Sequence, residues 1–149
     1  MTISEIIEAL EKAEGPDREL DRLIHFHIVS PWLAEKCAHW VPAAFEEPND
    51  FLWWTAERKA EGKEGYHDGW ESVTSSVDAA LELLKKYLPG WRLCFEAVDG
   101  IAYDLFILGP LYRDDYPERE SSPPIAGKPI AMALVLATLK ALQAKEPTP

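Results

Sequence analysis

Histidine and cysteine, both common zinc ligands, occur close together in the first forty residues of the chain. They are His25, His27, Cys37 and His39. The HxH and CxH pairs match no usual structural zinc spacing, and strand alternation or core packing explains the same residue types. We therefore predict that these side chains are structural and that the chain holds no metal.

Hydroxyl and carboxylate groups do not form a recognisable catalytic set. Ser75 and Ser76 lack the GxSxG context of a nucleophile elbow, and no histidine stands in a triad context, so we expect them to cap a helix. Four acidic residues lie close together, namely Asp114, Asp115, Glu118 and Glu120. They lack the glycine spacing of a calcium-binding loop. The sequence thus predicts no catalytic residue and no cofactor, with an enzyme of unrecognised type as an alternative.

The segment GPDRELDRLI, residues 15–24, is dense in charge around a glycine and a proline. Gly15 is expected to leave one helix in a left-handed conformation, and Pro16 suits the first turn of the next. Asp17 and Glu19 fall where the positive helix N-terminus favours acid. The pattern favours a structural corner over a chemical site.

Tryptophan and acid are concentrated in the segment 25–66. Trp53 and Trp54 are adjacent in a predicted strand and must point to opposite faces. Exposed tryptophan is typical of binding hot spots, and acid can steer a basic partner; burial of these rings in a core is the alternative. The predicted binding residues are Glu46, Glu47, Asp50, Trp53, Trp54, Tyr66 and Trp70.

Composition limits the classes of function. The chain has 149 residues, of which 47% are hydrophobic, and a formal charge of -11. It is apolar enough to fold as one domain, and too acidic for the clustered positive charge that grips nucleic acid. Its apolar run at 129–139 is too short to span a bilayer. The two cysteines lack CxxC spacing and no signal peptide is evident, which predicts a cytoplasmic protein.

Three segments have helical periodicity: TISEIIEALEKAEG, TSSVDAALELLKKYLPGW and KPIAMALVLATLKAL. The second begins with a predicted capping box of Ser75 and Asp78. The third is apolar around most of its circumference, so we expect a sheet on one side and a second copy or a close-packed loop on the other. SPWLAEKCAHW is predicted to open a short helix, while DFLWWTAE and WESVT are predicted strands of a long-looped hairpin.

A second hairpin is predicted around the DG dipeptide at 99–100. A two-residue loop pairs Val98 with Ile101 and Arg92 with Ile107. One predicted face then carries Cys94, Val98, Ile101, Tyr103, Leu105 and Ile107, and the other carries Trp91, Leu93, Phe95, Ala97, Ala102, Phe106 and Leu108. Because both faces are mostly apolar, both need covers. The predicted class is α/β (α+β), with an antiparallel or mixed sheet of about four strands covered by helices on both faces, followed by a proline-rich loop at 109–127.

Three stretches together resemble the phage ABA sandwich domain: LEKAEGPDRELDRLI, the span from VTSSVDAALELL to FIL, and GKPIAMALVLATLKAL. The resemblance implies a small bacteriophage or prophage protein with a sheet covered on both sides. It brings no established activity and no catalytic residues. The segment 25–66 departs from it and is the expected place of any function peculiar to this chain.

We therefore expect a non-enzymatic phage accessory protein that binds a host protein in the host cytoplasm and counters an antiviral defence. No direct contact with nucleic acid or membrane is expected, and a homo-oligomer could form through the C-terminal helix. The alternative is a binder that sequesters a nucleotide immune signal, with loop residues such as Tyr66, His67, Arg113 and Tyr116 stacking on the base.

Overall fold

A computed structural model describes residues 2–42, 50–69, 71–110 and 120–145 of the chain. The first half holds α1 (Ile3–Lys12), α2 (Arg18–Ile24) continued by a π-helical turn (His25–Val29), α3 (Pro31–Lys36), β1 (His39–Pro42), β2 (Asp50–Trp54), α4 (Ala56–Ala60) and β3 (Tyr66–Gly69). The second half holds α5 (Val77–Tyr87), β4 (Arg92–Val98), β5 (Ile101–Leu108), β6 (Lys128–Pro129) and α6 (Ile130–Lys145). The α+β class is confirmed.

The strands form two antiparallel sheets of three strands each, where one sheet of about four was expected. The aromatic sheet has the order β1-β2-β3, and the hairpin sheet has the order β4-β5-β6. Each sheet has its own cluster of buried side chains. The two clusters divide the described part of the molecule into two regions.

Helix α6 lies in the middle of the larger cluster. Every residue from Ala131 to Leu139 is buried. The helix contacts β5 and β6 of the hairpin sheet and also the two helices α1 and α5. The polar Thr138 is satisfied within the helix, because its hydroxyl donates to the Leu134 carbonyl at 2.8 Å. The prediction that a second copy or a loop must cover this helix is therefore wrong, since two helices of the same chain do so.

The hairpin turn is as the sequence predicts. Asp99 and Gly100 both have positive φ, 53° and 79°, which is the geometry of a type I′ turn. Val98 lies opposite Ile101. Glycine tolerates this backbone because it has no Cβ atom, and aspartate tolerates it because its short polar side chain can hydrogen-bond locally.

A β-bulge changes the faces of this hairpin. Glu96 pairs with Asp104 and Ala97 with Ala102, so Tyr103 has no partner on β4. Beyond the bulge the register is displaced by one residue, and the predicted assignment of the faces is wrong there. The affected residues are Arg92, which pairs with Leu108 instead of Ile107, and Leu105 and Ile107, which are fully buried on the same side as Leu93 and Ala102.

The second face of the hairpin is largely open to solvent, although a cover was expected. Val98 and Tyr103 are exposed, Tyr103 by 60%. Phe106 and Leu108 are half-buried. Among the described residues, the fully buried side chains of this hairpin are therefore on the face against α6 and are Ala102, Leu105 and Ile107.

The corner between α1 and α2 also differs from expectation. Ala13, in an extended conformation with φ -70° and ψ 135°, ends α1. Gly15 does not have a positive φ, so that prediction is wrong. The chain turns without it because Ala13 already leaves the helical path. The side chain of Asp17 caps α2 by accepting from the amides of Glu19 and Leu20, which places Pro16 before the helix and outside its first turn.

Two further boundaries are corrected. Ser76, in place of Ser75, caps α5 by accepting from the Ala79 amide at 3.2 Å. The strand beside β2 is Tyr66–Gly69, whereas the described part of WESVT, from Glu71 to Thr74, is irregular or turn. β2 itself ends at Trp54, because Thr55 caps the short helix α4.

Candidate functional site

The aromatic sheet distributes its rings over both faces. Trp40 and Tyr66 each lie opposite Trp53 in the register, so these three residues share one face. Trp54 lies opposite His39 on the other face. The two adjacent tryptophans therefore point in opposite directions, as predicted.

The face of Trp53 carries a row of rings in contact with one another. Trp53 is only 6% exposed and belongs to a small core with Phe26, Leu33 and Phe51. The Trp32 ring meets its edge at a centroid distance of 5.9 Å and is 55% exposed. The Tyr66 ring lies tilted against Trp53 at a centroid distance of 4.7 Å and is 42% exposed. A buried indole thus supports two exposed rings.

An arginine extends this row. The Arg58 guanidinium lies 4.4 Å from the centre of the Tyr66 ring, and its Nε also donates to the Glu64 carbonyl. A cation over an aromatic face is attracted by about 0.5–2 kcal/mol. We call the group formed by Trp32, Trp53, Tyr66 and Arg58 the aromatic surface.

Short, capped elements position the aromatic surface. Trp32 stands in the first turn of α3, after Pro31 at its N-terminus. Arg58 stands on α4, where its own amide donates to the Thr55 hydroxyl at 3.2 Å. Tyr66 begins β3. Because each residue comes from a different element, the surface exists only in the folded chain.

Trp54 has a structural role on the opposite face. Its indole Nε1 donates to the Lys63 carbonyl at 3.0 Å. A Cβ atom at Gly65 would lie 2.7 Å from the indole Cε2 atom, so only glycine allows this approach. The Lys59 ammonium sits 4.8 Å from the ring centre. Trp54 thereby holds the connection between α4 and β3.

Some predicted binding residues lie outside the described residues. These are Glu46, Glu47 and Trp70, together with the acids Asp114, Asp115 and Glu118 and the loop residues Arg113 and Tyr116. For Asp50 and His67 only the backbone is described, in β2 and β3. The described residues bring Trp53 and Tyr66 together, separate Trp54 from them, and add Trp32 and Arg58, which the sequence reasoning missed.

One signal could have identified Trp32. Ser30 and Pro31 mark a helix start, and in a helix consecutive side chains point about 100° apart. Leu33 is fully buried. Because Leu33 faces the core, Trp32 is directed about 100° away from it, toward the edge of the core.

Helix α2 joins the two regions. Leu20 and Ile24 are buried in the larger cluster. Arg22, on another side of the helix, places its guanidinium 4.3 Å from the Trp40 ring centre and 5.0 Å from that of Phe26. The charged corner at 15–24 is thus a junction between an aliphatic core and an aromatic one.

The same corner is tied to the segment before α5. The buried Thr74 amide donates to Asp21 Oδ1 at 2.8 Å, and the Asp17 amide donates to the Thr74 hydroxyl at 3.0 Å. Burial raises the pKa of the Asp21 carboxyl above its ordinary value. The Asp21 carboxyl and the Thr74 hydroxyl are therefore used in hydrogen bonds that connect the corner to this segment.

A cleft of about 590 Å³ lies beside this junction, between α2 with its π-helical turn and α5. Its charged lining consists of Asp21, Glu71, Glu82, Lys85 and Lys86, and His25 contributes the ring. Three carboxylates against two ammonium groups disfavour a phosphate. The cleft therefore gives little support to the sequestration of a nucleotide.

The described residues form neither a cluster of metal ligands nor a membrane-spanning helix. Within 2–42, 50–69, 71–110 and 120–145, no three His, Cys, Asp or Glu side chains are grouped so that they could hold a metal ion. In the same part of the chain, no helix combines the length and the apolar character needed to cross a membrane.

The geometry defines a small α+β protein with an aliphatic helical core and a separate aromatic surface. Comparisons of the chain with protein-family models, with curated proteins and with solved structures found no match. The resemblance to the phage ABA sandwich domain thus stays a prediction.

Proposed function

We propose that this chain is a non-enzymatic binding protein that holds a host protein through the aromatic surface. The observation that carries the proposal is the exposed Trp32 ring packed against the buried Trp53. A large ring fixed in place loses little conformational freedom on binding, and such rings are the residues on which binding free energy concentrates.

Charge favours a basic partner. The chain carries a formal charge of -11, which attracts a positively charged protein surface and repels the phosphates of nucleic acid. Arg58 is fixed beside Tyr66 and can meet an acid or a carbonyl of the partner. The acid steers the encounter and the rings hold the contact.

The setting follows from the resemblance described above. A small phage protein of this kind acts in the host cytoplasm, where its partner would be a component of an antiviral defence. The activity is binding alone, without cofactor or metal.

The test is a pair of matched substitutions. The partner is captured from host lysate with the tagged chain and purified, and dissociation is then followed by surface plasmon resonance. Trp32→Ala should speed dissociation by roughly thirtyfold, equivalent to about 2 kcal/mol, and leave association nearly unchanged. Tyr103→Ala, which removes an equally exposed ring from the other sheet, should change neither rate by more than about twofold.

Two results would refute the proposal. One is an equal effect of the two substitutions, which would place the contact elsewhere. The other is a nucleotide released by heating the purified chain and identified by mass spectrometry.

A second experiment tests the steering by acid. Reversing the charges of Glu46 and Glu47 should slow association, by a factor that shrinks as added salt shortens the Debye length below about 8 Å.

A further inference from the structure

Strand β4 forms one edge of the hairpin sheet. The Leu105 amide donates to the Ile125 carbonyl at 3.0 Å, and the Ile125 amide donates to the Leu105 carbonyl at 2.8 Å. Leu105 therefore directs its backbone groups away from β4. Phe95, which lies opposite Leu105, must direct its own amide and carbonyl away from β5, because paired residues either exchange both bonds or neither.

The same argument applies one pair further along. The Ile107 carbonyl accepts from the Ser122 amide at 3.0 Å, and the Ile107 amide donates to the Ser122 hydroxyl at 2.9 Å. Leu93, opposite Ile107, therefore also turns its backbone groups to the outer edge. In the described part of the chain no strand pairs with this edge, and such an edge readily takes another strand.

The residues along this edge are complementary to themselves. Their order is Arg92, Leu93, Cys94, Phe95, Glu96. A second copy running antiparallel and centred on Cys94 brings each Arg92 opposite Glu96 of the other copy. It also brings Leu93 opposite Phe95 of the other copy. These two residues then form a hydrogen-bonded pair, because both turn their amide and carbonyl groups to the outer edge. The two Cys94 residues face each other.

The charges select this register. Glu96 lies directly opposite Asp104 on β5, a like-charge pair that an arginine from a second copy would relieve. Arg92 and Glu96 are exposed, and neither forms an ion pair with a described residue. Sliding the second copy by two residues places Cys94 opposite Arg92 or Glu96 and removes both ion pairs.

Phe95 supplies the apolar part of the contact. It lies on the same face as the fully buried Leu105 yet is 47% exposed, because it stands on the edge strand. In the centred register Leu93 of the second copy lies beside its ring. Covering this ring from both copies adds burial to the backbone hydrogen bonds.

We propose that two copies of this chain pair through β4, in the register centred on Cys94, and so join their hairpin sheets into one six-stranded antiparallel sheet. The surface is separate from the aromatic sheet, so this inference does not rest on the proposed function. The formal charge of -11 on each copy opposes association at low ionic strength, and the tests are made near 0.15 M salt, where the Debye length is about 8 Å.

Cys94 reports the register directly. Facing residues in a non-hydrogen-bonded pair have Cα atoms about 4.5 Å apart, within the range of a disulfide. The chain has two cysteines, so the full chain with Cys37→Ser keeps Cys94 as its one remaining thiol. Mild oxidation with diamide should convert most of it to a covalent dimer on a non-reducing gel. The matched Cys94→Ser chain, which keeps Cys37, should give almost no covalent dimer on the same gel, and equal yields of covalent dimer from the two chains would contradict the register.

Charge exchange tests the same pairing without oxidant. Arg92→Glu and Glu96→Arg singly place like charges opposite each other, and each should weaken the dimer by about tenfold in sedimentation equilibrium. The double exchange restores opposite charges and should recover most of the affinity. A chain that sediments as a monomer at every concentration, or a double variant as weak as the singles, would overturn the proposal. Circular dichroism of each variant confirms that the fold is kept.

Discussion

The two regions of the molecule differ in the kind of side chain that they bury. In the helical region, around α6, the fully buried side chains are mostly aliphatic and include Ile6, Leu10, Leu134 and Ile107. In the aromatic region, around β1 to β3, the buried side chains of the described residues are Phe26, Leu33, Phe51 and Trp53. Around that small core stand rings and cations that remain partly in solvent.

The difference indicates a division of roles. Aliphatic side chains stabilise a fold by complete burial and close packing. Aromatic rings with cations over their faces keep part of their attraction at the surface. The helical region therefore supplies most of the free energy of folding, and the aromatic region holds exposed rings in place at little cost to that core.

The largest expected effect lies in the centre of the helical region. Leu134→Ala leaves a cavity between α6 and its neighbours and should lower the free energy of unfolding by about 3–5 kcal/mol. Trp32→Ala, in a largely exposed position, should lower it by less than about 1 kcal/mol. Urea denaturation followed by circular dichroism measures both values. Similar losses in the free energy of unfolding for the two variants would contradict the proposed division of roles between the regions.

A smaller effect is expected at the junction of the regions. Asp21→Ala leaves the buried Thr74 amide without an acceptor and should cost about 1–3 kcal/mol at neutral pH. Asp21→Asn keeps a carbonyl at that position and removes the buried charge. It should therefore be clearly more stable than Asp21→Ala in the same denaturation experiment.

The pH dependence of the Asp21 variants has a definite sign. Burial raises the pKa of Asp21 in the folded chain, so its favourable contribution is fully present below the unfolded pKa, near 3.8. That contribution is lost as the pH rises through the raised folded pKa. The stability of the natural chain relative to Asp21→Asn should thus fall across this interval. A difference that grows with pH would mean that the carboxylate is stabilised as an anion.

Local patterns account for much of the helical region. The stripe of Ile6, Ile7 and Leu10 marks α1, and the DG dipeptide marks the hairpin turn. The all-round apolar character of α6 indicates a central helix, although its covers are distant in sequence. The bulge at Tyr103 was not predictable, because strict alternation gives apolar residues on both faces and only packing against α6 selects Leu105 and Ile107 for the core.

The aromatic region was less predictable because its contacts are between distant residues. The spacing places Trp53 and Trp54 on opposite faces. Nothing local shows that Tyr66 is the residue that pairs with Trp53. Trp32 and Arg58 reach the surface from helices of six and five residues. Such short elements are stabilised mainly by tertiary contacts, so the candidate site emerges only once the fold is known.

Native-state hydrogen exchange of the free chain tests the division between the regions most directly. Amides in the middle of α6 should exchange only through global unfolding, so that their opening free energy equals the value from denaturation. Amides in the β1–β2–β3 ladder should open at a free energy lower by about 2 kcal/mol or more, because a small core protects them. Equal opening free energies in the two regions would show one cooperative core and contradict the account.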